Sequence, residues 1–199
     1  MTKNSRSSPT TRSSSKNSGA SNSPREAHLP SLPPDAPGPP DDPAGRAAIC
    51  HLAHAYAAAV DRRDRDGLVA LFLPEAELSV VRGSREPSRY RGHEAIGEML
   101  AELAPFERTL HAVLAQEVRF EDEGGEARGE ENEAAEARGE VAMCAHHVRR
   151  LGEGRDGEDF VIFGRYFDRF APGEDGRWRF AARRLEVGWT ELRPVRLPG

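Results

Sequence analysis

Cysteine is scarce: Cys50 and Cys144 are the only two in 199 residues, too few for a disulfide framework. No positively charged and then apolar leader opens the chain, so a reducing, cytoplasmic setting is expected. Long apolar runs are missing as well, and none approaches the roughly 18 residues of a spanning segment; no membrane partner is expected. Metal-ligand types are crowded, with Cys50, His51 and His54 in one short stretch and Cys144, His146 and His147 in another. Neither has the spacing of a four-ligand zinc site, so no metal is expected. A glycine-rich phosphate loop is absent too: Gly124-Gly125 sits among acids with no apolar helix behind it, which leaves no expected cofactor. No serine occupies a strand-to-helix elbow, which removes Ser-His-Asp hydrolysis.

What is present divides unevenly along the chain. The composition is 37% apolar and 31% charged, with 33 acidic against 28 basic side chains; the length fits one domain plus tails. Residues 1–45 are rich in Ser, Pro, Asn and Thr, with Leu29 and Leu32 as isolated large apolar residues, and cannot offset the entropy of ordering. They are expected to form a disordered tail. Its bases Lys3, Arg6, Arg12, Lys16 and Arg25 are too sparse for a polyanion-binding arm, so no nucleic-acid partner is expected. The domain is expected over 46–192, with 193–199 as a C-terminal tail. Within it, 121–140 carries nine acids against two arginines, a local balance of −7. Glu-Ala-Arg-Gly-Glu occurs there twice, at 126–130 and 136–140, which reads as a slipped duplication in a solvated, low-complexity loop.

Apolar periodicity places the elements. Ile49, Leu52, Tyr56 and Val60 recur three or four apart within an Ala-rich stretch from Ala44 to Arg63, the pattern of a helix with one buried stripe. Asp64 reads as the N-cap of a second helix carrying Leu68, Leu71 and Phe72 before Pro74. Residues 76–81 read as a strand, and a third helix is expected from Gly92 to the Pro105 break. From residue 108 the period changes to two, giving four long strands near 108–120, 140–151, 159–171 and 176–190. Asp175-Gly176 is a hairpin signal. Helices followed by a meander give an α+β domain, a curved antiparallel sheet covered by about three N-terminal helices.

Several local patterns resemble the nuclear transport factor 2-like superfamily, and within it the SnoaL-like group that includes scytalone dehydratase and bile-acid dehydratase relatives. They are Tyr56-Ala-Ala-Ala-Val-Asp61-Arg-Arg-Asp64, Thr109-Leu-His111, and Gly164-Arg-Tyr-Phe-Asp168 followed by Asp175-Gly-Arg-Trp178-Arg-Phe180. The resemblance implies a cone-shaped α+β barrel, often a homodimer, whose pocket moves protons on a small hydrophobic or aromatic ligand without a cofactor. It also implies site residues: Asp61 as helix-end carboxylate, His111 as strand histidine, His146 as second histidine and Tyr56 as hydroxyl donor. A dehydratase (lyase) or isomerase is thus expected. Val60 stands where scytalone dehydratase has a tyrosine, which leaves room for the alternative of a non-catalytic ligand-binding or dimerisation module.

Alternation alone leaves two choices open. His146 shares parity with Ala142, Cys144 and Val148, and His147 with Val141, Met143 and Ala145, so only one histidine can face the core. His111 shares parity with Thr109 and Val113, opposite the more apolar set Leu110, Ala112 and Leu114. Tyr56 and Asp61 are about 140° apart around a helix, and converge only if the last turn bends.

Overall fold

A computed structural model describes residues 43–120 and 136–198. Of the tail expected over 1–45, residues 1–42 lie outside the described residues, whereas Pro43, Ala44 and Gly45 open the first helix. Of the acidic stretch 121–140, residues 121–135 lie outside them as well. The last residues of that stretch are strand: Ala137, Arg138, Gly139 and Glu140 of the second Glu-Ala-Arg-Gly-Glu repeat open β4.

The chain forms α1 (Pro43–Arg62), α2 (Arg65–Val69), β1 (Phe72–Arg82), β2 (Ser88–Arg91), α3 (Gly92–Glu98), a 3-10 turn (Met99–Leu103), β3 (Arg108–Phe120), β4 (Ala137–Arg150), β5 (Asp156–Pro172) and β6 (Trp178–Arg196). Residues 193–196, expected in a tail, continue β6, and Leu197 beyond it is buried. Helices precede the long strands, as expected for an α+β domain. Among the described residues no helix is long and apolar enough to cross a membrane.

Two expectations are corrected. The sheet is mixed, in the order β2-β1-β6-β5-β4-β3, because β6 returns beside β1 and runs parallel to it while the other neighbours are antiparallel. It is a curved open sheet, not a closed barrel. Alternation marks a strand but carries no information on the direction of its neighbour. Phe72 starts β1 instead of ending α2, and Pro74 follows it inside the irregular stretch between Phe72 and Glu77. A residue without an N–H is accommodated where the ladder is already broken. The N-cap at Asp64 is as expected: its Oδ1 accepts from the Gly67 N–H at 2.9 Å.

Curvature comes from breaks in register. Register shifts leave one extra residue in β3, Leu114, and two in β6, Gly188 opposite the Phe163–Gly164 step and Ala181 opposite the Arg169–Phe170 step of β5, and each bulge bends its strand and adds twist. Gly164 permits a close approach of two backbones, since a Cβ there would stand 2.5 Å from the Glu186 carbonyl oxygen.

The concave face carries the core. Ile49, Leu52, Tyr56 and Val60 of α1 pack with Phe72 and Leu78 of β1 and with Val141, Phe170, Phe180 and Leu185 of the meander. At its centre lies a buried ion pair. Arg183 donates to both oxygens of Asp168 at 2.9 and 3.0 Å, and its guanidinium carbon sits 4.2, 3.9 and 4.3 Å from the rings of Tyr56, Tyr166 and Phe180. Burial opposes the charge on Arg183, but the Asp168 carboxylate beside it holds it protonated, above its ordinary range.

Candidate active site

α1 lies along β3, and matched lengths fix its position. Arg46 near its start donates to the Val118 carbonyl at 2.7 Å, and Asp61 at its end accepts from the His111 N–H at 2.9 Å. Fifteen helical residues rise about 22 Å and seven strand residues about 23 Å. Helix and strand are thus clamped at both ends, and the carboxylate is delivered to one histidine.

The turn after Asp61 is built around Arg63, the one non-glycine residue with positive φ among those described, at 56°. Its guanidinium donates to the carbonyls of Val60 (3.0 Å), Asp61 (3.3 Å) and Leu103 (3.4 Å), and to Thr109 Oγ1 (2.7 Å). A cation at a helix C-terminus satisfies the unpaired carbonyls and opposes the negative end of the dipole, offsetting the roughly 1–2 kcal/mol strain of a left-handed residue.

Asp61 then grips His111 twice. Beyond the backbone bond, Oδ1 lies 2.7 Å from Nδ1. A carboxylate only accepts, so Nδ1 carries a proton, and in the neutral ring Nε2 holds the lone pair. Burial presses the Asp61 carboxyl upward, but the bonds from the His111 ring and backbone, the His111 charge and the Thr109 hydroxyl together bring it below its ordinary value. Eleven per cent of the His111 side chain and 20% of the Asp61 side chain remain open to solvent.

The second histidine on this face is His147. The buried parity set of β4 is Val141, Met143, Ala145 and His147, and the ladder sets Thr109, His147 and Phe160 side by side, with His111, Ala145 and Ile162 in the next row. The rings of His111 and His147 stand edge to face at 5.4 Å, with Phe106 at 5.0 Å on the other side. His147 Nδ1 faces the Phe160 carbonyl at 3.2 Å. The carbonyl must accept, so here too Nε2 holds a lone pair. Burial first, then the His111 charge, push His147 down to about 4, which leaves it neutral at pH 7.

Of the four residues expected from resemblance, the structure brings Asp61 and His111 together. His146 lies on the opposite face, its Nδ1 bonded to Asp159 Oδ2 at 2.6 Å, because the face that holds Val141, Met143, Ala145 and His147 is the one packed into the core with α1. Tyr56 points into the core, where its ring meets Phe72, Tyr166 and Phe180; burial raises its hydroxyl above the ordinary tyrosine range. It stands with the Asp168–Arg183 pair, outside the hydrogen bonds around Asp61. Sequence reasoning missed Arg63 and the burial of Asp168 with Arg183. The parity of Arg183 with Leu185 and of Asp168 with Tyr166 and Phe170 could have signalled that pair, since each carries a charge on the apolar face of its strand. A concavity of about 530 Å³ at the far ends of β5 and β6, lined by Leu151, Leu192 and Pro194 among others, is separate from Asp61, His111 and His147.

Several solved structures share this fold. A putative scytalone dehydratase from Novosphingobium aromaticivorans is 24% identical, with 77% of this chain and 91% of that chain covered and a TM-score of 0.57. A putative aromatic ring hydroxylase from the same organism is 23% identical over 78% and 96%, at 0.57. A type 2 hexachlorocyclohexane dehydrochlorinase (LinA) is 18% identical over 78% and 93%, at 0.59. No curated protein matches the chain. The family model of the SnoaL-like domain matches residues 44–184, and the chain belongs to that family.

Proposed function

We propose that this protein is a cofactor-independent acid–base lyase or isomerase of the dehydratase type, acting on a small polycyclic or aromatic carbonyl compound. The observation that carries the reading is the Asp61–His111 pair, with its proton fixed on Nδ1 and Nε2 free as base. In the reaction His111 Nε2 removes a proton from the carbon next to the substrate carbonyl, while Asp61 holds the ring and faces the positive charge that develops on it. The same imidazolium then returns the proton, to a departing hydroxide on that side in a syn elimination or to a neighbouring carbon in a double-bond shift. His147, neutral and with its lone pair on Nε2, accepts a hydrogen bond from a substrate hydroxyl and does not act as the acid. Supporting context is the apolar side chains near the two rings, Phe106 against His147 and the Val113–Met143 pair two residues along β3 from His111, and the relatives named as dehydratase and dehydrochlorinase.

The test is exchange of α-protons against deuterium in aromatic β-hydroxy ketones, followed by NMR together with the ultraviolet absorbance of the conjugated product. His111→Gln is expected to slow exchange by about 10²–10⁴-fold, the usual contribution of a positioned base. Asp61→Asn, which allows the wrong tautomer, is expected to do nearly as much. Retention of such a ketone without exchange, equal in wild type and His111→Gln, would instead support the ligand-holding module.

A further inference from the structure

The histidine turned away from the core belongs to a second constellation on the convex face of the sheet. His146 Nδ1 lies 2.6 Å from Asp159 Oδ2, which fixes the proton on Nδ1 and leaves Nε2 as an acceptor. That nitrogen is 3.6 Å from the Cys144 sulfur, within reach of the S–H. Asp159 is buried, and its other oxygen has no hydrogen-bond partner among the described residues, so its side-chain hydrogen bonding is to the imidazole. A nucleophile, a base and an orienting carboxylate thus stand in line.

The surroundings define what the sulfur would meet. On the convex face the ladder sets Ala112, Cys144, Phe163 and Trp189 in one row. Phe163 and Trp189 are stacked at 4.6 Å with 10° between their planes, and Trp189 and Leu110 are exposed. This is an apolar platform beside a thiol, with one-third of the His146 side chain open (32%). Acyl-transfer chemistry lacks support, because the strand N–H groups around Cys144 are committed to the ladder and none is free as an oxyanion donor. Addition to carbon needs no such donor. Burial pushes the Cys144 thiol up, against the nearby Arg193, so the resting group is S–H and the base must take its proton during reaction.

We propose that Cys144, His146 and Asp159 form a thiol-addition site for a hydrophobic α,β-unsaturated carbonyl compound. The sulfur electron pair forms a bond to the β-carbon while His146 Nε2 takes the thiol proton. The carbon–carbon π electrons move to the carbonyl oxygen as an enolate, and the proton returns from His146 to the α-carbon. The product is a thioether, with no oxidant or reductant consumed. This inference does not depend on the role given to Asp61 and His111.

The experiment uses the full chain with N-phenylmaleimide as the electrophile at pH 7 and reads adduct formation by peptide mass spectrometry. Cys50, the only other cysteine and the more exposed of the two, is the internal reference. Cys144 is expected to react faster than Cys50. His146→Gln should slow it at least tenfold with Cys50 unchanged, and Asp159→Asn should slow it as well, giving a second variant if the first melts early. Trp189→Ala should slow the phenyl probe more than N-ethylmaleimide, and His111→Gln should leave the adduct rate unaltered. A Cys144 no faster than Cys50, or indifferent to both His146→Gln and Asp159→Asn, overturns the proposal. Protection of Cys144 that grows with protein concentration, with a dimer seen by light scattering, assigns the platform to a second copy and overturns it as well.

Discussion

Replacing His147 by Gln should remove an acid-sensitive element from the fold. His147 is 5% exposed and is held down to about 4 by burial and by His111, whereas an unfolded chain presents a histidine near 6.5. Between these values the unfolded state binds a proton that the folded state refuses. Stability therefore rises with pH across the window, is complete above about 6.5, and is lost as pH falls toward 4. One proton over that interval amounts to about 2.5 kcal/mol between pH 7.5 and pH 4.5, at roughly 1.4 kcal/mol per unit. Glutamine keeps a donor for the Phe160 carbonyl but has no proton to gain. Urea titrations of both proteins at the two pH values isolate the difference, since the remaining groups are shared. The lowered Asp61 carboxyl acts below its unfolded value, about 3.9, under the window. Wild type should lose about 2.5 kcal/mol more than His147→Gln on acidification. Parallel losses, within about 0.5 kcal/mol, would refute the assignment of a buried, neutral imidazole at this position.

Arg183→Met leaves Asp168 as an unpaired buried charge and is expected to destabilise by about 3–5 kcal/mol, while Arg183→Met with Asp168→Leu should cost less than either single change; a denaturant double-mutant cycle reads the difference. Gly164→Ala pushes a methyl to 2.5 Å from the Glu186 carbonyl and should cost about 1–3 kcal/mol, seen as a lowered melting temperature with the strand content unchanged by circular dichroism.

How much of this was legible beforehand differs by element. The four long strands lie within about three residues of their expected starts and α1 lies along its expected stripe, because burying one face forces a period of 3.6 or 2 on any sequence that folds this way. Hairpin chemistry was equally local: Gly176 sits at φ 73° where Asp175-Gly176 had marked a turn. β2 escaped notice, since Ser88–Arg91 shows no apolar alternation; it is an edge strand held by its ladder to β1.

The sequence by itself determined the long helix α1, the four long strands β3 to β6, and that at most one of two adjacent histidines could face inward, since each follows from the neighbours of a residue along the chain. Tertiary structure decided the rest. The choice of His147 over His146, the parallel return of β6 to β1, and the meeting of Asp61 with His111 across fifty residues all depend on which face meets the helices and which strands lie adjacent. A period-two pattern is symmetric under exchange of its faces, and only packing α1 against β3 breaks that symmetry.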